Sequence, residues 1–405
     1  MWVTSSCTAA LTPTSVALGN FDGLHLGHRQ VVQPILNKSP GPNSATVSET
    51  GQNLRSNAGR EQNLESEDPA ACDNDSAAPP DRAGSSHNFD GLIGQTRAEG
   101  NRLSGRDSDG GDKLYSTVVT FDPHPQEFFT GQPKKLLTPL AEKVELLEAM
   151  GVEQLVLLPF DRELATLTAI EFVEEILVRQ LKASRISVGV DFRFGRGRAG
   201  TAVDLQSIAS GYGVDVALVP LHNCGTVRIS SSAIREGLAS GDLTRANQLL
   251  GRPYSLVGTV VGGKELGRTI GFPTANIELP PEKFLPRFGV YAVRVSVKHG
   301  GEKMKDQSSS YQQRENPKSL IPDVASNLFF VNGVMNVGCR PTVDGLQPTV
   351  EVHLLDWSGD LYGKTLSASL VEFLRPEQKF ASLDALKTQI QVDCDVARSV
   401  LAAKV

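Results

Sequence analysis

The sequence predicts an α/β domain built on a mainly parallel sheet, followed by a small antiparallel β-barrel or sandwich with a C-terminal helix. Three observations carry this. Up to about residue 250, short apolar runs alternate with helical patterns, the rhythm of strands joined by crossover helices. After Gly251-Arg252-Pro253 the runs become β-branched, partly alternating and separated by Gly, Pro and Asp turns. The chain then closes on an amphipathic stripe.

In the first part, SVALGNF (15–21), LYSTVVTF (114–121), QLVLLPF (154–160), RISVGVDF (185–192) and VDVALVPL (214–221) read as short buried strands. Helical patterns occupy 26–36, 139–150, 169–181 and 203–212, with Pro139 suited to a first turn and Gly151 to a helix end. Two further helices, 230–239 and 243–250, would close this domain, giving units 1–250 and 251–405. In the second part, YSLVGTVV (254–261), GVYAVRVSV (289–297), LFFVNGVMNV (328–337), TVEVHLLD (349–356) and LSASLVEFL (366–374) read as strands. Ser382 caps a final helix over 382–402, with Leu383, Leu386 and Ile390 on one stripe.

Two segments break the pattern. The 74 positions from Ser39 to Asp112 hold ten Gly, ten Ser, seven Asn and eight Asp but only seven large apolar residues, too few to offset the cost of ordering the backbone. They read as a disordered insertion. The near echo of a motif described below, Asn88-Phe89-Asp90-Gly91, lies inside it without histidines or a preceding strand, and is a coincidence. A polar stretch over about 300–326 reads as a long loop between strands.

The whole chain has 405 residues, room for two to three domains of roughly 150 residues each. Lys+Arg number 40 against Asp+Glu 46, a formal net charge of -6, which excludes a nucleic-acid binder relying on bulk positive charge. No run approaches the ~20 apolar residues of a membrane span, and the N-terminus lacks a basic region followed by an apolar one, so the expected location is the cytoplasm. Five scattered cysteines without a CxxC pair argue against a disulfide framework.

The sharpest chemical signal is GNFDGLHLGH (19–28), placed where the first strand ends and the first helix begins. Backbone N–H groups and the helix dipole favour phosphate at such a junction. Gly19 and Gly23 let the backbone approach a ligand, and His25 and His28, three apart, share one face and can both donate to phosphate oxygens. The second signal is Ser230-Ser231-Ser232 entering a helix with Arg235 one turn on, a clamp suited to a polyphosphate.

An HxGH element followed by I-S-S-x-x-I-R resembles the nucleotidyltransferase superfamily. More specifically, the chain resembles the bacterial bifunctional riboflavin kinase/FMN adenylyltransferase family, also called FAD synthetases. Strings that carry the resemblance include TFDPHPQEFF (120–129), VGVDFRFGRGRAG (188–200), SSSAIREGLASGDL (230–243), GRTIGFPTANIELPPEKFLP (267–286), GVMNVGCRPT (333–342), TVEVHLLDWSGDLYG (349–363) and FLRPEQKF (373–380). It covers essentially everything outside the two insertions. It implies a Rossmann-like nucleotidyltransferase domain ahead of a riboflavin kinase β-barrel, with ATP, riboflavin and FMN as substrates, Mg²⁺ as cofactor, and no nucleic acid or membrane partner.

Residue by residue, the resemblance places ATP's phosphates at His25, His28, Ser230, Ser231 and Arg235, with Gly19, Asn20, Phe21 and Asp22 lining the nucleotide. Asp122, Pro123 and His124 would lie beside the flavin, as would Asp191 and Phe192, with Phe194 and Arg198 on the same loop. From the residues alone, Asp122 reads equally as a turn residue before proline, and the two phenylalanines as core. In the barrel, Thr274 and Asn276, two apart on an extended chain, point to one side and could hold Mg²⁺ with oxygen ligands. Lys264, Gly267, Arg268 and Gly271 would flank the phosphates. Glu351 is one polar residue in an apolar strand, by itself an ordinary outward glutamate; the family places the catalytic base there. Two rivals remain at this stage: a nucleotidyltransferase for another acceptor, against which the P-T-A-N string speaks, and a flavin sensor with silent sites, against which the intact set of polar residues speaks.

Overall fold

The computed structural model describes residues 1–36, 113–225, 227–263, 266–298, 330–342 and 345–404. The insertion expected over 39–112, the loop expected over 300–326 and Lys264 lie outside the described residues.

Six strands form one parallel sheet: β1 (Trp2–Thr4), β2 (Thr14–Leu18), β3 (Tyr115–Asp122), β4 (Gln154–Pro159), β5 (Ala183–Gly189) and β6 (Asp215–Val219), in the order β1-β4-β3-β2-β5-β6. Every residue of β2 is buried, the polar Thr14 and Ser15 included, which is why Val16-Ala17-Leu18 reads as a continuous apolar run rather than an alternation. From β2 the order steps one way to β3 and β4, then resumes on the other side at β5. Connections leaving β2 and β5 therefore part company, and a crevice opens at the carboxyl edge. The edge strand β1 escapes the sequence pattern because its three residues, two of them exposed, are too few to show a periodicity.

Helices α1 (Leu26–Val32), α3 (Leu140–Ala149) and α4 (Ala202–Ser210) pack on this sheet, and the short α2 (Pro125–Thr130), which buries no residue, follows β3. α1 is shorter than the span expected over 26–36: it passes into a 3₁₀ turn at Gln33–Ile35, where Pro34 lacks the amide that would continue the ladder. Pro139 sits at the N-cap of α3 rather than inside its first turn. The expected helix over 169–181 begins with a Thr168/Glu171 capping box and continues as a π-helical stretch, Phe172–Gln180, closed by Leu181 N–H to the Ile176 carbonyl.

Two helices follow, α5 (Ser231–Ser240) and α6 (Leu243–Leu250), and then a closed antiparallel barrel. Its strands are β7 (Ser255–Val261), β8 (Ala275–Glu278), β9 (Gly289–Lys298), β10 (Phe330–Thr342), β11 (Gly345–Leu354) and β12 (Thr365–Pro376), in the order β7-β8-β11-β10-β9-β12. At Gly258 a methyl group would sit 2.1 Å from the Glu278 carbonyl oxygen, so only glycine lets β7 and β8 approach this closely. The final helix α7 (Leu383–Ala403) lays Cys394, Ala397 and Leu401 against Val290, Ala292 and Val334 on the barrel's outer face, and a buried ion pair between Asp393 and Arg375 (2.7 Å) fixes it there.

Helices α5 and α6 bury Ile234, Leu238, Leu243, Ala246, Leu249 and Leu250 in the same apolar cluster as Tyr254, Leu256, Tyr291, Met335, Val352 and Leu370 of the barrel. The Asn247 amide reinforces the join, donating to the Leu370 carbonyl (3.0 Å) and accepting from Tyr254 N–H (2.8 Å). The change of sequence rhythm at residue 250 is therefore not a gap in the packing.

Candidate active sites

The first site forms at the carboxyl end of β2. Phe21 (φ 47), Gly23 (φ 96) and Leu24 (φ 42) all take left-handed backbone conformations, so the chain doubles back before α1. Phe21 and Leu24 are 0% and 1% exposed; their buried side chains hold two strained residues in place. What Phe21 presents to the surface is thus its backbone, while its ring lies in the core. The Asn20 carbonyl accepts from Thr120 Oγ1 (3.1 Å) and from Lys143 Nζ (3.1 Å), and Gly23 N–H donates to Thr138 Oγ1 (3.0 Å).

Asp22 is the hub of this loop. Its Oδ1 accepts from Thr138 N–H (3.2 Å), its carbonyl from Ser231 Oγ (2.7 Å), and its Oδ2 pairs with Arg235. Arg235 also donates to the Lys135 carbonyl (3.1 Å) and lies over the Phe284 ring. Ser230 caps α5, its hydroxyl accepting from Ala233 N–H. The structure thus brings the loop after β2 and the start of α5 into direct contact, and in this state Ser231 and Arg235 are both turned to Asp22. A cleft of about 400 Å³ runs alongside, lined by Gln126, Lys134, Lys135, Ser232, Arg235 and Phe284.

His25 caps α1 through Nδ1, which accepts from His28 N–H (3.2 Å), so its ring proton sits on Nε2. The two imidazoles stack with centroids 3.6 Å apart and 13° between planes. Burial pushes the His25 pKa down to about 4, against a smaller upward pull from Asp22. Burial, then His25, pushes His28 well below the usual histidine range. Buried His28 Nδ1 has no hydrogen-bond partner among the described residues. Both shifts favour neutral rings near pH 7, whose N–H groups are available as hydrogen-bond donors.

Beyond β3, Asp122 is exposed and His124 caps α2, accepting from Gln126 N–H (3.1 Å) with Lys134 Nζ 3.0 Å from its Nε2. Burial first, and Lys134 second, lower the His124 pKa to about 4. After β5, Asp191 pairs with Arg228, and half-buried Phe192 stacks parallel to buried Phe194 at 5.8 Å. Phe194 belongs to the core with Phe172; Arg198 is exposed.

One residue of this site went unread in the sequence. Lys143 is buried on the same face of α3 as Leu147 and reaches the Asn20 carbonyl, its charge facing Asp22 and Asp122. Its signal was a lysine in the apolar i, i+4 stripe of an amphipathic helix.

The second site lies on the outer wall of the barrel. Asn276 is directly opposite Glu351, and Glu351 is directly opposite Asn336, so the three form a row across β8, β11 and β10. Their sequence neighbours Ile277, Val350, Val352, Met335 and Val337 face the interior. Asn336, in the string GVMNVG, was another residue not singled out. His353, two residues beyond Glu351 on the same face, donates from Nδ1 to the Pro273 carbonyl (2.8 Å) and so pins the turn that carries Thr274. Gly267 and Arg268 lie on a short helical turn, Leu266–Thr269, that closes with Phe272 N–H to the Gly267 carbonyl (2.8 Å), and Gly271 (φ 88) supplies the reversal. A methyl group at Gly263 would sit 2.1 Å from Asn276 Nδ2, and one at Gly267 would sit 3.2 Å from Thr274 Oγ1. The loop is therefore cut to leave space around these two side chains.

Among the described residues no cluster of three or more His, Cys, Asp or Glu is gathered to hold a metal, and no helix is long and apolar enough to cross a membrane. A hydroxyl, an amide oxygen and a carboxylate on one wall are nevertheless hard oxygen donors of the kind Mg²⁺ takes.

Comparison with known proteins finds a family match in each half of the chain. Residues 250–401 match the family described as riboflavin kinase, and residues 7–49 and 106–233 match the family described as FAD synthetase. The chain is 42% identical over 313 residues to the bifunctional riboflavin kinase/FMN adenylyltransferase of Escherichia coli (strain K12), covering 77% of this chain and 90% of that one. It is 38% identical over 288 residues to the protein of the same name from Haemophilus influenzae, covering 71% and 84%, and 33% identical over 285 residues to that of Bacillus subtilis (strain 168), covering 69% and 80%. A crystal structure named as a macrolide-efflux protein from Streptococcus pneumoniae matches 98% of each chain with a TM-score of 0.65 at 25% identity. Its name fits neither family, and what it shares with this chain is the fold.

Proposed function

This chain belongs to the family of bifunctional riboflavin kinases/FMN adenylyltransferases, and on that premise we propose which residues carry each of its two reactions. The protein phosphorylates riboflavin with ATP to give FMN, and adenylylates FMN with a second ATP to give FAD and pyrophosphate. We assign the first reaction to the unit 251–405 and the second to the unit 1–250. Both are in-line displacements at phosphorus, where positioning and charge stabilisation do most of the catalysis.

In the barrel, Glu351 accepts the proton of the ribityl 5′-hydroxyl as it attacks the γ-phosphate. The observation that carries this reading is the register that sets Glu351 opposite Asn276. Thr274 and Asn276 would hold Mg²⁺, which when bound offsets charge on the nucleotide phosphates. Gly267, Arg268, Gly271 and Lys264 border those phosphates, with Arg268 balancing their charge. Asparagine 276 gives the test: in Asn276→Ala, half-maximal FMN formation is expected to need at least about tenfold more Mg²⁺, a loss of about 1.4 kcal/mol of binding. An unchanged Mg²⁺ titration would remove Asn276 from the metal site.

In the sheet domain, FMN's phosphate is already ionised and needs no base. His25 and His28 donate to the α-phosphate as charge builds there, Ser230, Ser231 and Arg235 hold the departing pyrophosphate, and the backbone from Gly19 to Asp22 borders the nucleotide. Asp122, Pro123, His124, Asp191 and Phe192 flank the flavin. Arrival of the triphosphate would draw Arg235 partly away from Asp22.

The neutral histidines fix a pH dependence. The His25 pKa lies at about 4, and burial followed by the neighbouring His25 holds His28 well below the usual histidine range, so both rings stay neutral through the window in which FMN's phosphate titrates. kcat/KM for adenylyl transfer is expected to be level from about pH 7 upwards and to fall below about pH 6 with a slope of one, from FMN's own phosphate. A slope of two between about pH 5.5 and 7 would show a histidine titrating there and contradict this role.

The family match skips residues 50–105. Replacing 39–112 by a short Gly/Ser linker is expected to leave both activities within about twofold, since closure entropy changes by only about 1 kcal/mol. A KM for ATP or FMN raised more than about tenfold, roughly 1.4 kcal/mol, would place the segment in the active site. The ATP requirement and the free thiols of Cys7, Cys224, Cys339 and Cys394 support a cytoplasmic location.

A further inference from the structure

We propose that Lys283, a residue of the kinase unit, is a positioning residue for adenylyl transfer, so that the site for the second reaction is built by both units. The inference rests on the reading above that the loop after β2 and Arg235 serve that reaction. Lys283 is 3% exposed. Its three ammonium protons have three acceptors: the Leu137 carbonyl (3.0 Å) and both oxygens of Glu142 (2.8 and 2.6 Å). Leu137 and Glu142 belong to the sheet domain. The Tyr254 ring lies 4.6 Å from the same ammonium. A buried cation with every proton committed across a seam tolerates little displacement.

The backbone on either side follows suit. Leu136 N–H donates to the Glu282 carbonyl (2.6 Å), Phe284 N–H to the Leu136 carbonyl (2.8 Å), and Lys135 Nζ to the Pro281 carbonyl (2.5 Å). Residues 135–138 are thus clamped by 281–284. That clamped segment in turn holds the first site. The Lys135 carbonyl receives Arg235, Thr138 N–H donates to Asp22, and Thr138 Oγ1 receives Gly23 N–H. Arg252 adds a second strut, donating to the Gly23 carbonyl (2.9 Å). Phe284 completes the arrangement by lying under Arg235 and lining the adjoining cleft.

Lys283 therefore touches neither substrate but fixes the segment against which Asp22 and Arg235 are aligned. Alignment is where such a reaction is most sensitive, a misplacement of about 1 Å costing up to roughly 100-fold in rate.

The difficulty for a test is that Lys283→Met alone strands the Glu142 carboxylate in the seam and could unfold the chain. The pair Lys283→Met/Glu142→Met removes both charges at similar volume, an exchange that is often neutral or stabilising, while still releasing the Leu137 carbonyl. In the full chain, thermal melting, riboflavin phosphorylation and FMN adenylylation would be measured for both variants, with Arg235→Ala alongside. The expected result is a double variant that melts within a few degrees of the parent and phosphorylates riboflavin within about twofold, while kcat for adenylyl transfer falls on the order of 10- to 100-fold with KM for FMN within about threefold. A double variant with the parent's adenylyl-transfer rate, or one in which both activities fall in parallel, would overturn the proposal. Arg235→Ala separates the site from its support: normal FAD synthesis in that variant would overturn the assignment of the site itself, whereas impaired synthesis beside an unaffected double variant would overturn only the role of Lys283.

Discussion

Glu351→Gln is expected to lower riboflavin phosphorylation by on the order of 10²–10⁴, the usual worth of a general base, while riboflavin binds as before. Glutamine keeps the size and the hydrogen-bonding reach of the side chain but cannot take a proton. Glu351 stands in the middle of a row with Asn276 on one side and Asn336 on the other, facing away from the barrel core. Substitution there leaves Val350 and Val352 packed in the interior, so the barrel should not notice it. FAD formation from supplied FMN should remain at the parent's level. Near-normal FMN production by this variant would remove Glu351 from the mechanism, and a parallel loss of riboflavin binding would make it a binding residue instead.

For the other reaction, His28→Ala is expected to reduce FAD formation on the order of 10²–10³, the cost of removing one donor aimed at developing charge, with FMN formation unchanged. The stacked arrangement sharpens the expectation. His28 leans on His25 at 3.6 Å, and Phe21 lies 5.3 Å from it, so alanine removes a donor and also a support for the neighbouring ring. The larger end of the range is therefore expected. Because His28 is neutral, a further substitution by asparagine, which keeps a donor without a charge, should recover part of the rate. An equal fall in both activities would point to a damaged fold.

How much of this could be read from residues alone differs from feature to feature for physical reasons. Five of the six strands of the parallel sheet were legible because burial on both faces writes them as short apolar runs, such as Val16-Ala17-Leu18 in β2, whereas the exposed edge strand β1 was not. The place of the HxGH loop was legible because glycines and histidines follow such a run directly. The disposition of Phe21 was not: a positive φ at a non-glycine residue leaves no trace in composition, and only the fold shows its ring buried beneath the loop. Helices α5 and α6 were legible as helices, yet amphipathicity reveals only that a face must be covered and never by what. Only the fold shows that their cover is the barrel. Lys283 and Arg252 stayed hidden for the same reason, since a lysine in a proline-rich turn and an arginine after a glycine look like surface residues until the chain is folded around them.

The apolar cluster shared by α5, α6 and the barrel has a bearing on inheritance. Leu249 and Leu250 are 1% and 0% exposed, and their aliphatic side chains carry no group that could act on either substrate. Shortening one of them to alanine would cost about 2–5 kcal/mol, a large share of the 5–15 kcal/mol that holds a typical domain together. Cells clear chains that spend time unfolded, and losses of this size change steady-state abundance. A lesion there would thus starve a cell of both flavin nucleotides at once, and it would map to no catalytic residue of either enzyme.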